Sequence, residues 1–221
     1  MRTRKKKWAP AQLENNLRIV RDLDKYEGQS LTQIFANNKP VHLEIGCGKG
    51  RFIIETSLRN PDINYIAIER ESTILATAAR RAEEVLGDQN VGSLIFVLED
   101  VDNILKYFKP GDISRLYINF CDPWPTKKKR ARRRLTHDNY LAKYEELKIP
   151  ELFFKTDNQI LFEASLESLS RKSWVLQNVS LDLHKSKMED NIMTEYEEKF
   201  SPRGPIYRLE AFPPGVHSMY S

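Results

Sequence analysis

The chain has 221 residues, of which 40% are hydrophobic and 30% are charged, and a formal net charge of +4. This length suits one α/β domain with a sizeable core, and no apolar run reaches the roughly 20 residues that a membrane-spanning helix needs. Two cysteines, Cys47 and Cys121, are too few for a disulfide framework or a cysteine zinc site. The basic N-terminus has no apolar stretch after it, which does not fit a secretory signal. We therefore expect one domain over residues 1–221, with a basic N-terminal extension (about 1–38), no metal, no membrane and a reducing cytoplasmic location.

The apolar pattern predicts alternating strands and helices. A first helix is expected from Pro10, because Leu13, Leu17, Val20 and Leu23 are spaced for one apolar face, and residues 24–40 have the composition of a loop. Strands are then predicted over 41–45, 63–69, 93–98, 114–120, 152–155, 175–183 and 206–212, and helices over 51–58, 71–86, 101–108, 138–147 and 158–170. This order favours a doubly wound, mostly parallel sheet with helices on both faces, which is a three-layer α/β/α fold.

A glycine-rich turn, G-x-G-x-G, follows the first predicted strand and contains Gly46, Gly48 and Gly50. Glycines let a backbone approach a ligand closely, so a nucleotide-type cofactor is expected here. Glu44 lies just before the turn, where its carboxylate would repel a pyrophosphate but would suit a cation. S-adenosylmethionine carries an ammonium and a sulfonium and no phosphate, and it fits this arrangement better than a dinucleotide.

Two more acids follow the next two strands. Glu69 ends the second strand, where an acid binds ribose hydroxyls in doubly wound folds, and Asp100 follows the third strand, where it can face an adenine edge. Each acid alone is as well explained by a helix cap or an exposed strand end. Together with the glycine turn they predict S-adenosylmethionine.

The positive charge is concentrated in two segments without acids. Residues 1–7 hold five cations and residues 127–134 hold seven, so the rest of the chain carries a formal charge of −8. Such clusters are expected to contact the phosphates of a nucleic acid. The predicted phosphate contacts are Arg4, Lys5, Lys6, Lys7, Lys128, Lys129, Arg130, Arg132, Arg133 and Arg134. Asp122 lies just before the second cluster, at the carboxyl end of the fourth strand, where open α/β sheets bind their ligands.

Five stretches of the chain resemble motifs of bacterial tRNA (guanine-N7-)-methyltransferases. They are HLEIGCGKG (42–50), NFCDPWP (119–125), RRRLT (132–136), FKTDN (154–158) and NIMTEYE (191–197). The glycine turn is common to many methyltransferases, but the other four in this order are specific to the family, and the resemblance covers nearly the whole chain. It implies a Rossmann-like class I fold with seven strands, S-adenosyl-L-methionine as cofactor, and methylation of a guanine at N7 in the variable loop of tRNA, which forms 7-methylguanosine.

The resemblance also implies roles for individual residues. Glu44, Glu69, Asp100 and Asp122 would contact the cofactor, with Asp122 at the catalytic centre. The substrate side would consist of Lys127, Asp157, Thr194, Glu195, Tyr196 and Glu197. Lys127 is included because Thr126 stands where related chains have a lysine. The expected partner is tRNA, with no obligate protein partner, and the protein would be a monomer or a homodimer.

Guanine N7 has an in-plane lone pair and no proton, so methyl transfer to it needs alignment and no general base. Carboxylates match the donors on the Watson–Crick edge of guanine, which favours Asp122, Asp157 and Glu197 as acceptors. Trp124 is expected either to stack on a base or ribose or to pack its loop. None of the four histidines is given a role.

Three alternatives stay open from the residues. Asp122-Pro-Trp-Pro125 is similar to the D-P-P-Y-like motif of enzymes that methylate exocyclic amines. A tRNA-binding module without catalysis would keep the fold but lose the cofactor residues. A nicotinamide dehydrogenase is disfavoured by the glycine spacing.

Overall fold

The computed structural model describes residues 6–87, 92–125, 127–186, 188 and 190–216. In this part of the chain, the strands are β1 (Val41–Ile45), β2 (Asn64–Glu69), β3 (Leu94–Leu98), β4 (Arg115–Asn119), β5 (Leu152–Thr156), β6 (Val175–Ser180) and β7 (Tyr207–Phe212). The α-helices are α1 (Ala9–Asn15), α2 (Arg51–Arg59), α3 (Ser72–Leu86), α4 (Ile104–Tyr107), α5 (Lys128–Ala131), α6 (Asp138–Glu146), α7 (Gln159–Arg171) and α8 (Glu195–Phe200). None of the described helices is long and apolar enough to cross a membrane.

The seven strands form one sheet in the order β3-β2-β1-β4-β5-β7-β6. β7 is antiparallel to β5 and β6, and the other neighbours are parallel. The strand order reverses at β1, which pairs with β2 on one side and β4 on the other. A ligand crevice is expected at the carboxyl ends of the strands beside this reversal. The predicted fold class is confirmed.

Helices cover both faces of the sheet, because successive residues of β2 to β4 are apolar and pack into two core clusters on opposite sides. One core cluster joins the sheet to α4, α6 and α7, and it includes Leu43, Ile118 and Phe154. The other joins it to α2 and α3, where small residues such as Ala78 allow close packing. Gly50 is needed at that contact, since a Cβ there would lie 2.9 Å from the Cβ of Ala78.

The predicted helix from Pro10 through Leu23 is wrong beyond Asn15. Leu17 is 77% exposed, and the chain instead runs beside β3. The amide of Phe96 donates to the carbonyl of Arg18 (2.7 Å), and the amide of Val20 donates to the carbonyl of Phe96 (3.0 Å). β3 is the edge strand, so its free backbone groups gain partners from this segment. The backbone hydrogen bonds to β3 therefore replace the helix that the apolar spacing predicted for this segment.

Smaller differences occur in predicted loops and at element ends. The segment predicted as one helix over 101–108 divides into a 3-10 turn, Val101–Asn103, and α4. Two more 3-10 turns, Leu23–Tyr26 and Leu31–Ile34, occupy the predicted loop 24–40. β6 ends at Ser180 instead of Leu183, because Leu183–Lys185 forms a 3-10 turn.

Candidate active site

A cleft of about 460 Å³ opens at the carboxyl ends of β1 to β4. It brings together five of the sequence-predicted cofactor residues, Gly46, Gly48, Glu69, Asp100 and Asp122. The parallel strands explain this meeting, since their carboxyl ends lie at the same edge of the sheet. The cleft also has lining residues to which the sequence analysis gave no role, namely Arg70, Glu71, Ile74, Glu99, Val101, Asp102, Phe120, Cys121, Leu135 and Tyr140.

Two backbone amides, one of them in the glycine turn, donate to the carboxylate of Glu69. The amide of Gly48 donates to Oε2 of Glu69 (3.2 Å), and the amide of Glu71 donates to Oε1 (3.0 Å). Burial raises the pKa of Glu69, although these donors oppose the shift. Gly48 has a φ of 56°, and a Cβ there would meet no atom within 4 Å. The open space beside the turn leaves room for a ligand against the backbone, as an adenosine-bearing cofactor requires.

Glu44 lies beneath this turn and outside the cleft lining. Its side chain is buried, and its Oε1 accepts a hydrogen bond from Nδ2 of Asn119 (2.9 Å). Its Oε2 has no hydrogen-bond partner among the described residues. Burial raises the pKa of Glu44 to about 7, opposed by Asn119 and by the charge of Lys155. An orphaned carboxylate oxygen at the end of β1 suits a cationic group such as the ammonium of S-adenosylmethionine, directly or through water.

The far wall of the cleft follows β3. Oδ1 of Asp100 accepts from the amide of Asp102 (3.0 Å), so Asp100 caps the 3-10 turn. The hydroxyl of Tyr140 donates to Oδ1 of Asp102 (2.7 Å). Glu99 accepts from the side chains of Asn103 (2.9 Å) and Tyr107 (3.2 Å). Asp100 therefore keeps oxygen lone pairs for a ligand, while Glu99 is committed to neighbouring side chains.

Asp122 stands opposite, after β4. Its side chain is 66% exposed, and its Oδ2 lies 3.4 Å from Nη2 of Arg70, in a weak ion pair across the cleft. Burial raises the pKa of the thiol of Cys121, beside it, to about 12, which disfavours the thiolate that a nucleophile needs. Trp124 also lines the cleft, and the guanidinium of Arg133 lies 4.3 Å from its ring centre.

The predicted substrate residues of segment 194–197 belong to α8 and its cap. Thr194 caps the helix in a reciprocal pair with Glu197. Glu195 binds Nζ of Lys49 (2.7 Å) and Nη1 of Arg81 (3.0 Å), which ties α8 to the glycine turn and to α3. The hydroxyl of Tyr196 donates to Oδ2 of Asp157 (3.0 Å), so these two predicted residues do meet.

Glu197 is 0% exposed. This burial conflicts with its predicted role as a hydrogen-bond acceptor for the base. Its carboxylate accepts from Lys155 (2.7 Å) and Asn191 (2.7 Å) and contacts Nε2 of His184 at 3.1 Å. With these partners it presents no surface to a substrate, and we assign it to the anchoring of α8. Lys155 and His184 had no predicted role, because each is marked in the sequence only as a polar residue beside an apolar run.

The basic segment divides into exposed and buried cations. Lys127, Lys129, Arg130, Arg132 and Arg133 are exposed. Arg134 is buried, and its Nε donates to the carbonyls of Pro123 (3.1 Å) and Trp124 (2.9 Å). This corrects the prediction that Arg134 contacts a tRNA phosphate, because its side chain is buried and its Nε donates to the loop that carries Trp124.

The N-terminal cations are described only in part. Lys6 and Lys7 are exposed, and Nζ of Lys6 lies 4.9 Å from the ring centre of Trp8. The predicted contacts of Arg4, Lys5 and the side chain of Lys128 lie outside the described residues, as does Thr126. Within the described ranges, no group of three His, Cys, Asp or Glu side chains is arranged to hold a metal ion.

The chain is similar to known methyltransferases over most of its length. The chain matches the family model Methyltransf_4, described as "Putative methyltransferase", over residues 38–209. It is 44% identical over 216 residues to the tRNA (guanine-N(7)-)-methyltransferase of Clostridioides difficile (strain 630), covering 96% of this chain and 98% of that one. It is 47% identical over 214 residues to the protein of the same name from Bacillus subtilis (strain 168), covering 95% and 98%.

Solved structures share the fold at low sequence identity. A 16S rRNA methyltransferase, KamB, aligns with a TM-score of 0.58 and 13% identity over 82% of this chain and 92% of that chain. An antibiotic-related methyltransferase aligns with a TM-score of 0.57 and 17% identity over 89% and 96%. At these identities the likeness concerns the fold alone.

Proposed function

The chain belongs to the tRNA (guanine-N7-)-methyltransferase family, and on this premise we propose that it transfers a methyl group from S-adenosyl-L-methionine to N7 of a guanine in the variable loop of tRNA. The product on the nucleic acid is 7-methylguanosine. The observation that carries the proposal is the meeting of the glycine turn, Glu69, Asp100 and Asp122 in one cleft. The exposed cations Lys127, Lys129, Arg130 and Arg132 follow Asp122 along the chain.

The cofactor residues divide between the two sides of the cleft. We assign the ribose hydroxyls to Glu69, the adenine edge to Asp100 and the amino acid end to the glycine turn and Glu44. When bound, S-adenosyl-L-methionine supplies an electrophilic methyl group on a sulfonium. The backbone amides of Gly48 and Glu71 hold both oxygens of Glu69, so its carboxylate is oriented before the cofactor arrives.

The target atom needs no deprotonation, so the protein residues have to orient the base. Asp122 is exposed at the carboxyl end of β4. A carboxylate there can accept hydrogen bonds from N1–H and the exocyclic amine of guanine, which leaves the N7 edge free to face the cofactor. Asp157 accepts from Tyr196 through Oδ2, and its other oxygen is the second candidate acceptor. Positioning of this kind supplies a large part of the rate enhancement in such transfers.

A tRNA whose target guanine is replaced by 7-deazaguanine tests the proposed atom. This analogue keeps the Watson–Crick edge but has a C–H in place of N7. We expect it to bind and to receive no methyl group, whereas unmodified tRNA yields 7-methylguanosine by mass spectrometry of its nucleosides. Methylation of the analogue at the same nucleotide would contradict N7 transfer and favour an exocyclic amine. The cytoplasmic location and the monomeric or homodimeric state stay predictions.

A further inference from the structure

Phe120 has a backbone conformation that side chains other than glycine rarely adopt. It follows β4 directly, with a φ of 52°. The left-handed region places Cβ against the carbonyl group, and such conformations persist where surrounding contacts hold them. Here the amide of Phe120 donates to the carbonyl of Lys155 on β5 (2.9 Å). The strain is located two residues before Asp122, and both residues line the cleft.

The ring of Phe120 contacts a pair of stacked aromatic rings, Tyr196 and Phe200, that lie outside the cleft lining. Its centre lies 5.1 Å from the ring of Tyr196, which stacks on Phe200 at 4.1 Å with an interplanar angle of 20°. The guanidinium of Arg203 lies 4.9 Å from the centre of the Phe200 ring. Tyr196 is 41% exposed, but it is engaged by two rings and by Asp157. The Phe120 and Tyr196 rings are tilted by 41°, and of the three aromatic residues only Phe120 is among those that line the cleft.

The sheet order separates Phe120 from the adenosine end of the cleft. Glu69 and Asp100 follow β2 and β3, on one side of β1, whereas Phe120 follows β4 on the other side. Asp157 follows β5, the next strand in the same direction. Phe120 therefore lies at the end of the cleft that holds Asp122, on the side of the sheet toward Asp157.

We propose that Phe120 forms the stacking surface for the purine ring of the target guanine, with Tyr196 and Phe200 as its support. This inference rests on the proposed function. The lone pair of N7 lies in the plane of the base, so a base held by its face can direct N7 at the cofactor while its opposite edge reaches Asp122. Stacking of a base on an aromatic side chain is sequence-tolerant, and its loss costs roughly tenfold to hundredfold in affinity. Phe120 would thus hold the base, and the carboxylates would select guanine.

The test compares Phe120→Leu, Phe120→Trp and the control Phe200→Leu, which removes a ring of the stack that does not line the cleft. We expect Phe120→Leu to bind S-adenosylmethionine within about twofold of the wild type, and to lose roughly tenfold to hundredfold in kcat/KM for tRNA. Phe120→Trp keeps a ring face and should retain most activity, and Phe200→Leu should lose less than Phe120→Leu. Full activity of Phe120→Leu would overturn the inference. A loss explained entirely by weaker cofactor binding would also overturn it, because the ring would then serve the cofactor.

A second measurement follows the contact directly. tRNA with 6-methylisoxanthopterin at the target position, a fluorescent guanine analogue that keeps the N1–H and exocyclic amine donors, is bound to protein saturated with S-adenosylhomocysteine, and the fluorescence is recorded. Stacking on Phe120 should quench the wild-type complex relative to Phe120→Leu. If Phe120→Leu does not fold, an unquenched wild-type complex still overturns the inference. Absence of 7-methylguanosine from ordinary tRNA treated with the wild type would contradict the proposed function itself, whereas equal behaviour of variant and wild type would contradict the stacking alone.

Discussion

Nζ of Lys155 lies 2.7 Å from Oε2 of Glu197, and both side chains are buried between β5 and α8. The same ammonium donates to the carbonyl of Ile192 (2.8 Å) and to Oδ1 of Asn191 (3.1 Å), so all three of its hydrogens have acceptors. Burial lowers the pKa of Lys155, and the charge of Glu197 opposes that shift. This pair connects the sheet that carries the cleft to the helix that carries Tyr196.

Removing one member of this pair should destabilise the protein. Lys155→Met removes the ammonium that neutralises the buried Glu197 carboxylate and leaves it with Asn191 and His184, which costs about 3–5 kcal/mol of unfolding free energy. Urea denaturation measures this difference. The control is Arg171→Met, which breaks an exposed pair with Asp138 and should change stability by less than about 1 kcal/mol. If the two variants were equally stable, the anchoring role would be refuted.

The stability of the ligand-free protein should depend on Glu44 below neutral pH. Burial raises the pKa of this carboxyl from 4.5 to about 7, so between these values the folded state holds a proton that the unfolded state has lost. Its contribution to the unfolding free energy therefore decreases as pH rises from 4.5 to about 7, by about 3 kcal/mol, and is constant above that. Glu44→Gln removes the titrating group. The unfolding free energy of the wild type minus that of the variant, measured by denaturation, should therefore decrease as pH rises through this range. A constant difference would contradict the raised pKa.

Glu69→Ala should weaken S-adenosylmethionine binding roughly tenfold to hundredfold, because a hydrogen bond to a charged group is lost. It also removes the acceptor for the amides of Gly48 and Glu71, which loosens the turn. Calorimetric titration measures the affinity. Glu84→Ala, an exposed acid of α3 paired with Arg80, is the matched control and should bind like the wild type. Unchanged affinity in folded Glu69→Ala would remove this residue from the site.

Asp122→Asn should fold normally and lose turnover, by roughly a hundredfold at saturating cofactor, because an amide cannot replace an acceptor with two oxygens. The remaining activity should show no new ionisation near neutral pH, since the reaction needs no general base. Single-turnover kinetics at several pH values measure both effects. Asp62→Asn changes a carboxylate whose side chain is 97% exposed and serves as the control. Wild-type turnover in Asp122→Asn would remove it from the catalytic centre.

Alanine substitutions at Lys127, Lys129 and Arg130 should weaken tRNA binding and leave cofactor binding intact. Each lost phosphate contact should flatten the slope of log affinity against log salt by about 0.7–0.9. Arg59→Ala with Arg171→Ala, which removes two cations, is the control, because both residues lie at the carboxyl ends of helices that return to the opposite edge of the sheet. An unchanged slope in the triple variant would mean that this segment merely faces solvent.

The sequence by itself determined the family, the sheet and much of the cleft. Strands such as Leu94–Leu98 are continuous apolar runs bounded by polar or turn residues, and those signals are local. Glu69 and Asp122 were identified from their positions after strands, and the parallel arrangement brings strand ends together. The motif comparison added the methyltransferase family, which the full-length relatives confirm.

Only the tertiary structure showed which residues of the same type are exposed and which are buried and paired. Arg132 and Arg134 belong to one basic run, yet the first is exposed and the second is buried against the loop that carries Trp124. Glu195 and Glu197 share one helix, yet the second is enclosed by Lys155 and His184. Spacing along the chain shows which residues are near in sequence. Burial and pairing depend on contacts between distant segments, and those contacts decided which carboxylates and cations remain free for a substrate.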